Sequence, residues 1–312
     1  MKAPKQDTEI TNRIKKRWKH LKKWVNTHAI GYFRLFDRDV PNVPLIIDVL
    51  PNQYVIWVCN HSLSEHELAQ KIEEATAGLV EIQEKPVLIK CRQKNKAVQA
   101  SGWDTSKDKR VVVSEFGLKF ELNLSRYLDT GLFIDHRLTR QWVYQNAKGK
   151  RVLNLFSYTG SFSCYAQKGG ALWVTSVDLN PVYSQWHQRN CELNQIDSGQ
   201  YQIVTADVMT YLKNHQSKYD LIICDPPSFS HSKRKGASVF QIQSDAPSLI
   251  QRCLQRLRPN GVLLFSNNYK KFNMTAIQNN ISADVVEKTT AFTSKDFVGK
   301  HQSRTWLMSK VV

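Results

Sequence analysis

From Arg151 onward the chain alternates short apolar runs with helix-length segments, and this alternation constrains the fold more than any other feature. VLNLF (152–156), LWVTSVDLN (172–180), YQIVTAD (201–207), YDLIICD (219–225) and GVLLFSNN (261–268) read as five buried strands. Helices fit between them, the last ending at Arg258-Pro259-Asn260-Gly261, and Asn180-Pro181 offers a cap followed by proline at the first helical position. VVEKTTAF and RTWLMSKVV add two late strands with no obvious helix between them. Strand–helix repetition requires parallel pairing with helices on both faces. The pattern therefore predicts an α/β, Rossmann-like doubly wound sheet, mostly parallel, with an antiparallel C-terminal strand.

Two further parts precede this sheet, which is assigned residues 126–312. Residues 1–30 hold a basic helix: Ile14, Trp18, Leu21 and Val25 share one face, and Lys15, Lys16, Lys19, Lys22 and Lys23 cover much of the rest. That helix either packs on the body with a solvated basic face or tracks phosphates; basic amphipathic helices also bind membranes. Residues 31–125 read as a small α+β domain that supports or binds RNA. Pro41, Pro44 and Pro51 break up its start, YVIWVC (54–59) and VLIKC (87–91) are strands, and Ser64 to Glu67 fits a capping box. Leu68, Ile72, Ala75 and Leu79 stripe the helix that follows. Gln93 to Arg110 is a lysine-rich loop, and residues 111–124 form a hairpin around Phe116-Gly117.

Charge points to a partner. Lys+Arg number 44 against Asp+Glu 27, a net +17, as expected of a chain that binds phosphate backbone. Charge alone does not separate RNA from DNA, an acidic protein or a membrane surface. No apolar run approaches the ~20 residues of a membrane span, and the first residues lack the apolar stretch of a secretory signal. Cys59, Cys91, Cys164, Cys191, Cys224 and Cys253 show no zinc spacing and read as reduced, mostly buried thiols, so a cytoplasmic protein without a metal is expected. No obligate protein partner can be read from the chain.

Doubly wound sheets bind ligands at the carboxyl ends of their strands. The first strand ends in NLFSYTG, with one glycine where a dinucleotide fingerprint has three, which disfavours a pyrophosphate ligand. Asp178 ends the second strand, where a carboxylate accepts from ribose hydroxyls or sits at a helix N-terminus. Asp207 follows the third, as an adenine contact or a simple N-cap. The fourth exit, ICDPPSF, brackets two prolines between Asp225 and Phe229, a stiff loop with an aromatic available to stack on a flipped base. Lys233, Arg234 and Lys235 follow immediately.

YLDTGLFIDHR (127–137), NLFSYTG (154–160), DPPSFSHSKR (225–234) and LLFSNN (263–268) together resemble the RlmK-type 23S rRNA guanine-N7 methyltransferases, which in many bacteria form the C-terminal half of a fused enzyme. The resemblance runs from the basic helix to the C-terminus. It implies a class I methyltransferase sheet, S-adenosylmethionine as cofactor, and 23S rRNA or its precursor as partner. It further implies cofactor contacts from Phe133, Asp135, Arg137, Asn154, Phe156, Ser157, Tyr158, Thr159, Gly160, Asp178, Leu179, Asp207, Val208 and Asp225. No N2-guanine methyltransferase half precedes these motifs, so a free-standing version is expected.

Related 5-methylcytosine enzymes need a cysteine thiolate to attack the base. They carry it in a turn after the fifth strand, where this chain has Ser266-Asn267-Asn268. Guanine N7 has an in-plane lone pair and no proton, so proximity and orientation suffice for direct transfer. Asp225, Pro226, Pro227 and Phe229 are the expected catalytic group. Asn267 and Asn268 would help hold the base, and Lys15, Lys16, Lys19, Lys233, Arg234 and Lys235 would hold the RNA. An N2-guanine or 5-methylcytosine enzyme and a non-catalytic RNA-binding assembly factor remain the alternatives.

Overall fold

The computed structural model describes residues 8–91, 108–126, 129–230 and 240–310. They divide into two compact units, the first ending at Thr130 and reclaiming Lys295–Lys300, the second taking Gly131–Ser294 and the residues from His301 on. The expected boundaries therefore move. The basic helix α1 (Glu9–Thr27) is no separate domain: Ile10, Ile14, Leu21 and Val25 are buried in the core of the first unit. It packs on α2 (Glu65–Ile82), where the Thr11 hydroxyl donates to the Glu74 carbonyl at 3.1 Å. A Cβ on Gly78 would stand 3.1 Å from the Thr11 Cα, so a larger residue there would push the helices apart. Ser64 and Glu67 form the expected capping box.

The first unit's sheet contains β1 (Phe33–Asp37), β2 (Leu45–Val49), β3 (Tyr54–Val58) and β4 (Val87–Cys91) in that order. The first three pair antiparallel, and α2 provides the crossover that makes β3 and β4 parallel. β1 and β2 lie in the stretch read as broken up by proline; the prolines occupy the turns. Buried ions disguise these strands. Arg34 Nε lies 2.8 Å from Asp48 Oδ1, and Asp48 Oδ2 accepts from Trp57 Nε1 at 2.9 Å. Arg34 also explains the reclaimed segment: its backbone N–H donates to Asp296 at 3.1 Å and its guanidinium lies over the Phe297 ring. A hairpin of β5 (Arg110–Glu115) and β6 (Leu118–Asn123) turns at Phe116 and Gly117, both with positive φ (49° and 85°) as a tight two-residue turn requires.

The second unit opens with α3 (Arg137–Asn146) and then alternates β7 (Arg151–Leu155), α4 (Ser161–Lys168), β8 (Trp173–Asp178), α5 (Pro181–Leu193), β9 (Tyr201–Thr205), α6 (Val208–Asn214) and β10 (Tyr219–Cys224). A two-residue ribbon, β11 (Phe229–Ser230) with β12 (Phe240–Gln241), precedes α7 (Ile242–Gln255), β13 (Leu257–Asn267), α8 (Met274–Gln278), β14 (Ala283–Glu287) and β15 (Arg304–Lys310). The sheet order is β14-β15-β13-β10-β7-β8-β9. β9, β8, β7, β10 and β13 are parallel, and β15 is antiparallel to both its neighbours, as expected. The chain reverses direction across the sheet between β7 and β10, which places the switch point beside the loop after β7. Arg258 to Gly261, expected to close the preceding helix, belong to β13; an irregular register opposite Tyr219–Leu221 absorbs them. Among the described residues no helix is long and apolar enough to cross a membrane.

Candidate functional site

Parallel register brings the carboxyl ends of five strands together: Leu155 pairs with Val177 and Cys224, Cys224 with Phe265, and Asp178 with Thr205.

The turn after β7 is held in an unusual conformation. Phe156, Tyr158 and Gly160 all have positive φ (56°, 49° and 77°). Two bulky residues in the left-handed region are strained and persist only where their surroundings over-determine them. Here the Ser157 N–H donates to the Val177 carbonyl at 3.1 Å, and the Tyr158 N–H to Asp178 Oδ2 at 2.9 Å. At Gly160 a Cβ would fall 1.9 Å from the His187 ring, so the position accepts only glycine. The Ser157 hydroxyl is buried with no hydrogen-bond partner.

Asp178 accepts a second N–H, from Asn180 to Oδ1 at 2.9 Å. Burial pushes its carboxyl above the usual range, and the N–H groups of Asn180 and Tyr158 oppose the shift. Beside it the Phe133 ring lies 5.2 Å from that of Tyr158, which meets Tyr183 edge-on at 4.6 Å. Leu179 is half-buried next to Asp178.

Several residues expected on the cofactor have other work. Asn154 is buried and donates to Ser163 Oγ at 2.8 Å, which in turn contacts Ser176 Oγ at 2.7 Å, a strut joining β7, α4 and β8. Thr159 is buried, with its hydroxyl on the Gly131 carbonyl and its own carbonyl held by Asn190. Arg137 is wholly buried, with Nη1 3.5 Å from Ser294 Oγ. Asp207 Oδ1 caps α6 through the Thr210 N–H at 2.8 Å, and Val208 packs in the core. Phe156 packs against Phe240.

The fourth exit is the most organised. Asp225 Oδ1 accepts from Ser266 Oγ at 2.7 Å, and Oδ2 lies 3.2 Å from Nε2 of buried His136. Burial alone would lower the His136 pKa, but the carboxylates of Asp225 and Asp135 outweigh it and raise it. Asp135 is also buried, yet His136 and the N–H and hydroxyl of Ser303 draw its carboxyl below the usual range. Asp135 thus faces Ser303, just before β15, and braces His136. Pro226 is buried, Pro227 exposed, and Phe229 is 47% exposed. Asn268 accepts from Ser228 Oγ at 2.6 Å, tying the exit of β13 to the proline loop. Asn267 is buried; its Oδ1 accepts the Tyr269 N–H at 3.0 Å and its Nδ2 has no partner. His136 was not singled out from the sequence, although the motif containing it was; its flanking residues carried the expectation. Lys233, Arg234 and Lys235 lie outside the described residues.

In the first unit Lys16, Lys19, Lys22 and Lys23 are exposed on α1, whereas half-buried Lys15 pairs with Glu81.

Similarity to known proteins follows the same outline. The S-adenosylmethionine-dependent methyltransferase family profile matches residues 68–293. The chain is 39% identical to ribosomal RNA large subunit methyltransferase K of Neisseria meningitidis serogroup B, over 96% of this chain and 86% of that one. It is also 39% identical to ribosomal RNA large subunit methyltransferase K/L of Shewanella oneidensis, over 85% of this chain, but it spans only 38% of that relative's length. The structure of SMU.776, a methyltransferase complexed with SAH, superposes with a TM-score of 0.77 at 25% identity, covering 100% of this chain and 83% of that one. The chain belongs to the S-adenosylmethionine-dependent methyltransferase family and is a relative of ribosomal RNA large subunit methyltransferase K.

Proposed function

We propose that this enzyme methylates N7 of a guanine in 23S rRNA or its precursor, by direct transfer and without a covalent protein–RNA intermediate. The observation that carries this reading is the pairing of Asp225, fixed by Ser266 and His136, with a β13 exit that has asparagines where a nucleophilic cysteine would be needed. Cys224, the thiol nearest in sequence, is wholly buried in the core. The Asp225 carboxylate offers acceptors, which suits the N1–H and N2–H donors of guanine. The buried Asn267 amide offers a matching donor to O6. Phe229, 47% exposed at the start of β11, is the aromatic placed to stack on the base.

The residues present also fit the donor. The partnerless Ser157 hydroxyl and the Asp178 carboxylate suit the polar groups of a nucleoside–amino-acid ligand, and the Phe133–Tyr158–Tyr183 cluster offers an aromatic wall. Gly160, Leu179 and Asp207 border this site. Bound S-adenosylmethionine supplies a sulfonium methyl electrophilic enough for a ring-nitrogen lone pair. N7 carries no proton, so the chain need only hold the base in line.

The large-subunit RNA substrate is supported by the named relatives, by the net charge of +17 and by the exposed lysines of α1. On this reading the first unit supports the RNA and the enzyme works in the cytoplasm. A second reading, methylation of the guanine N2 amine, is favoured by the same Asp225, which could accept from that amine. Substitution tests the covalent question. Cys224→Ala, at the thiol next to Asp225, should leave turnover measurable. Phe229→Ala should cost about 5- to 150-fold, the worth of one base stack at ~1–3 kcal/mol. A trapped adduct with 5-fluorocytidine RNA would overturn the proposal.

A further inference from the structure

Two cysteines and a histidine with no part in the methyl-transfer site meet in the interior of the second unit. Cys164 projects from α4, and His187 and Cys191 lie one turn apart on α5, with their ligand atoms all within 4.8 Å of one another. All three are at most 1% exposed. Both ring nitrogens of His187 are buried, with no oxygen or nitrogen partner and only the neighbouring Cys191 thiol in reach. Such an imidazole is costly to bury, and each such group in a native fold calls for an explanation.

We propose that Cys164, His187 and Cys191 bind a zinc ion. Two thiolates and a neutral imidazole cancel the charge of a divalent cation, so the complex can be buried without a net ion. Sulfur and nitrogen together are the donor set zinc favours. Around zinc the donors would stand about 3.5–3.8 Å apart, from bond lengths of ~2.0–2.3 Å, so the side chains need only a modest closing movement. The Tyr201 hydroxyl, which donates to Gln188 Oε1 at 2.9 Å, lies beside Cys191. The two thiols release their protons to solvent as the ion binds, and loading accompanies folding because the cluster is closed. The ion would fasten α4 to α5 beneath the strained turn, since the His187 ring is the surface against which Gly160 packs. The ligands come from separate helices, which is why their spacing in the sequence shows no zinc pattern. This inference does not depend on which atom of the RNA is methylated.

The test uses the full chain, unfolded and stripped with a chelator under reducing conditions, then refolded in graded Co2+ as a spectroscopic probe. A stoichiometric thiolate-to-cobalt charge-transfer band should appear, Zn2+ should displace it, and Zn2+ should raise the unfolding temperature. Cys164→Ser and Cys191→Ser should abolish the band, while Cys253→Ser, at a buried cysteine elsewhere in the core, should keep it. If the serine variants do not unfold cooperatively, His187→Gln is read the same way. The proposal is overturned if wild-type protein gives no band, if the band survives in the ligand variants, or if the protein as purified holds a Cys164–Cys191 disulfide.

Discussion

Asp178 carries two loads at once. Its oxygens pin the turn through Tyr158 and the start of α5 through Asn180, and in the proposed site its charge also meets the donor's ribose. Alanine would remove both backbone contacts, whereas Asp178→Asn keeps one of the two and removes the charge. Loss of one charge-assisted hydrogen bond, ~1.5–3 kcal/mol, should weaken S-adenosylmethionine about 10- to 150-fold by calorimetry. Unchanged affinity would confine Asp178 to the turn. His136 makes a prediction in pH. Its pKa is raised by folding, so its contribution to stability is complete below the unfolded value of 6.5 and is lost as pH rises through the folded pKa. The unfolding temperature should therefore decline on the alkaline side of that value, and His136→Gln should flatten the decline. Equal slopes in the two proteins would show that the Asp225 contact does not hold a charged imidazole.

At the scale of elements, α1 separates two kinds of lysine. Binding of single-stranded RNA should weaken with salt at a log–log slope of about −0.7 per phosphate neutralised. Filter-binding titrations should show Lys16→Gln and Lys19→Gln each flattening the slope, with Lys15→Gln doing less because its ammonium already pairs with Glu81. If none of the three moves the slope, the helix is a solvated face and nothing more. The same helix shows why some elements were legible. Ile14, Leu21 and Val25 repeat at helical spacing, and burial followed. β1 and β2 were missed because buried Asp37 and Asp48 and half-buried Arg34 pair there, and such charges break the apolar signature of a strand. The start of β13 was missed because proline, asparagine and glycine ordinarily end structure, and only the irregular pairing with β10 accommodates them. In the site, the strand-end acids could be read from position alone. The Asp225–Ser266 and Asp225–His136 contacts span 41 and 89 residues and arise only when the sheet assembles. Asn154 and Thr159 belonged to a recognisable motif, yet their side chains brace it from behind.

For the whole molecule, a basic chain carries the proposed methyl-transfer site on one unit and a lysine-studded helix on the other. The central claim concerns the atom that receives the methyl group, and nucleoside mass spectrometry addresses it directly. Large-subunit RNA lacking the modification should be incubated with the enzyme and S-adenosylmethionine, digested, and resolved into its methylated nucleosides. The account predicts enzyme-dependent 7-methylguanosine, sharply reduced with Asp225→Ala. Enzyme-dependent N2-methylguanosine or 5-methylcytidine in its place would contradict it.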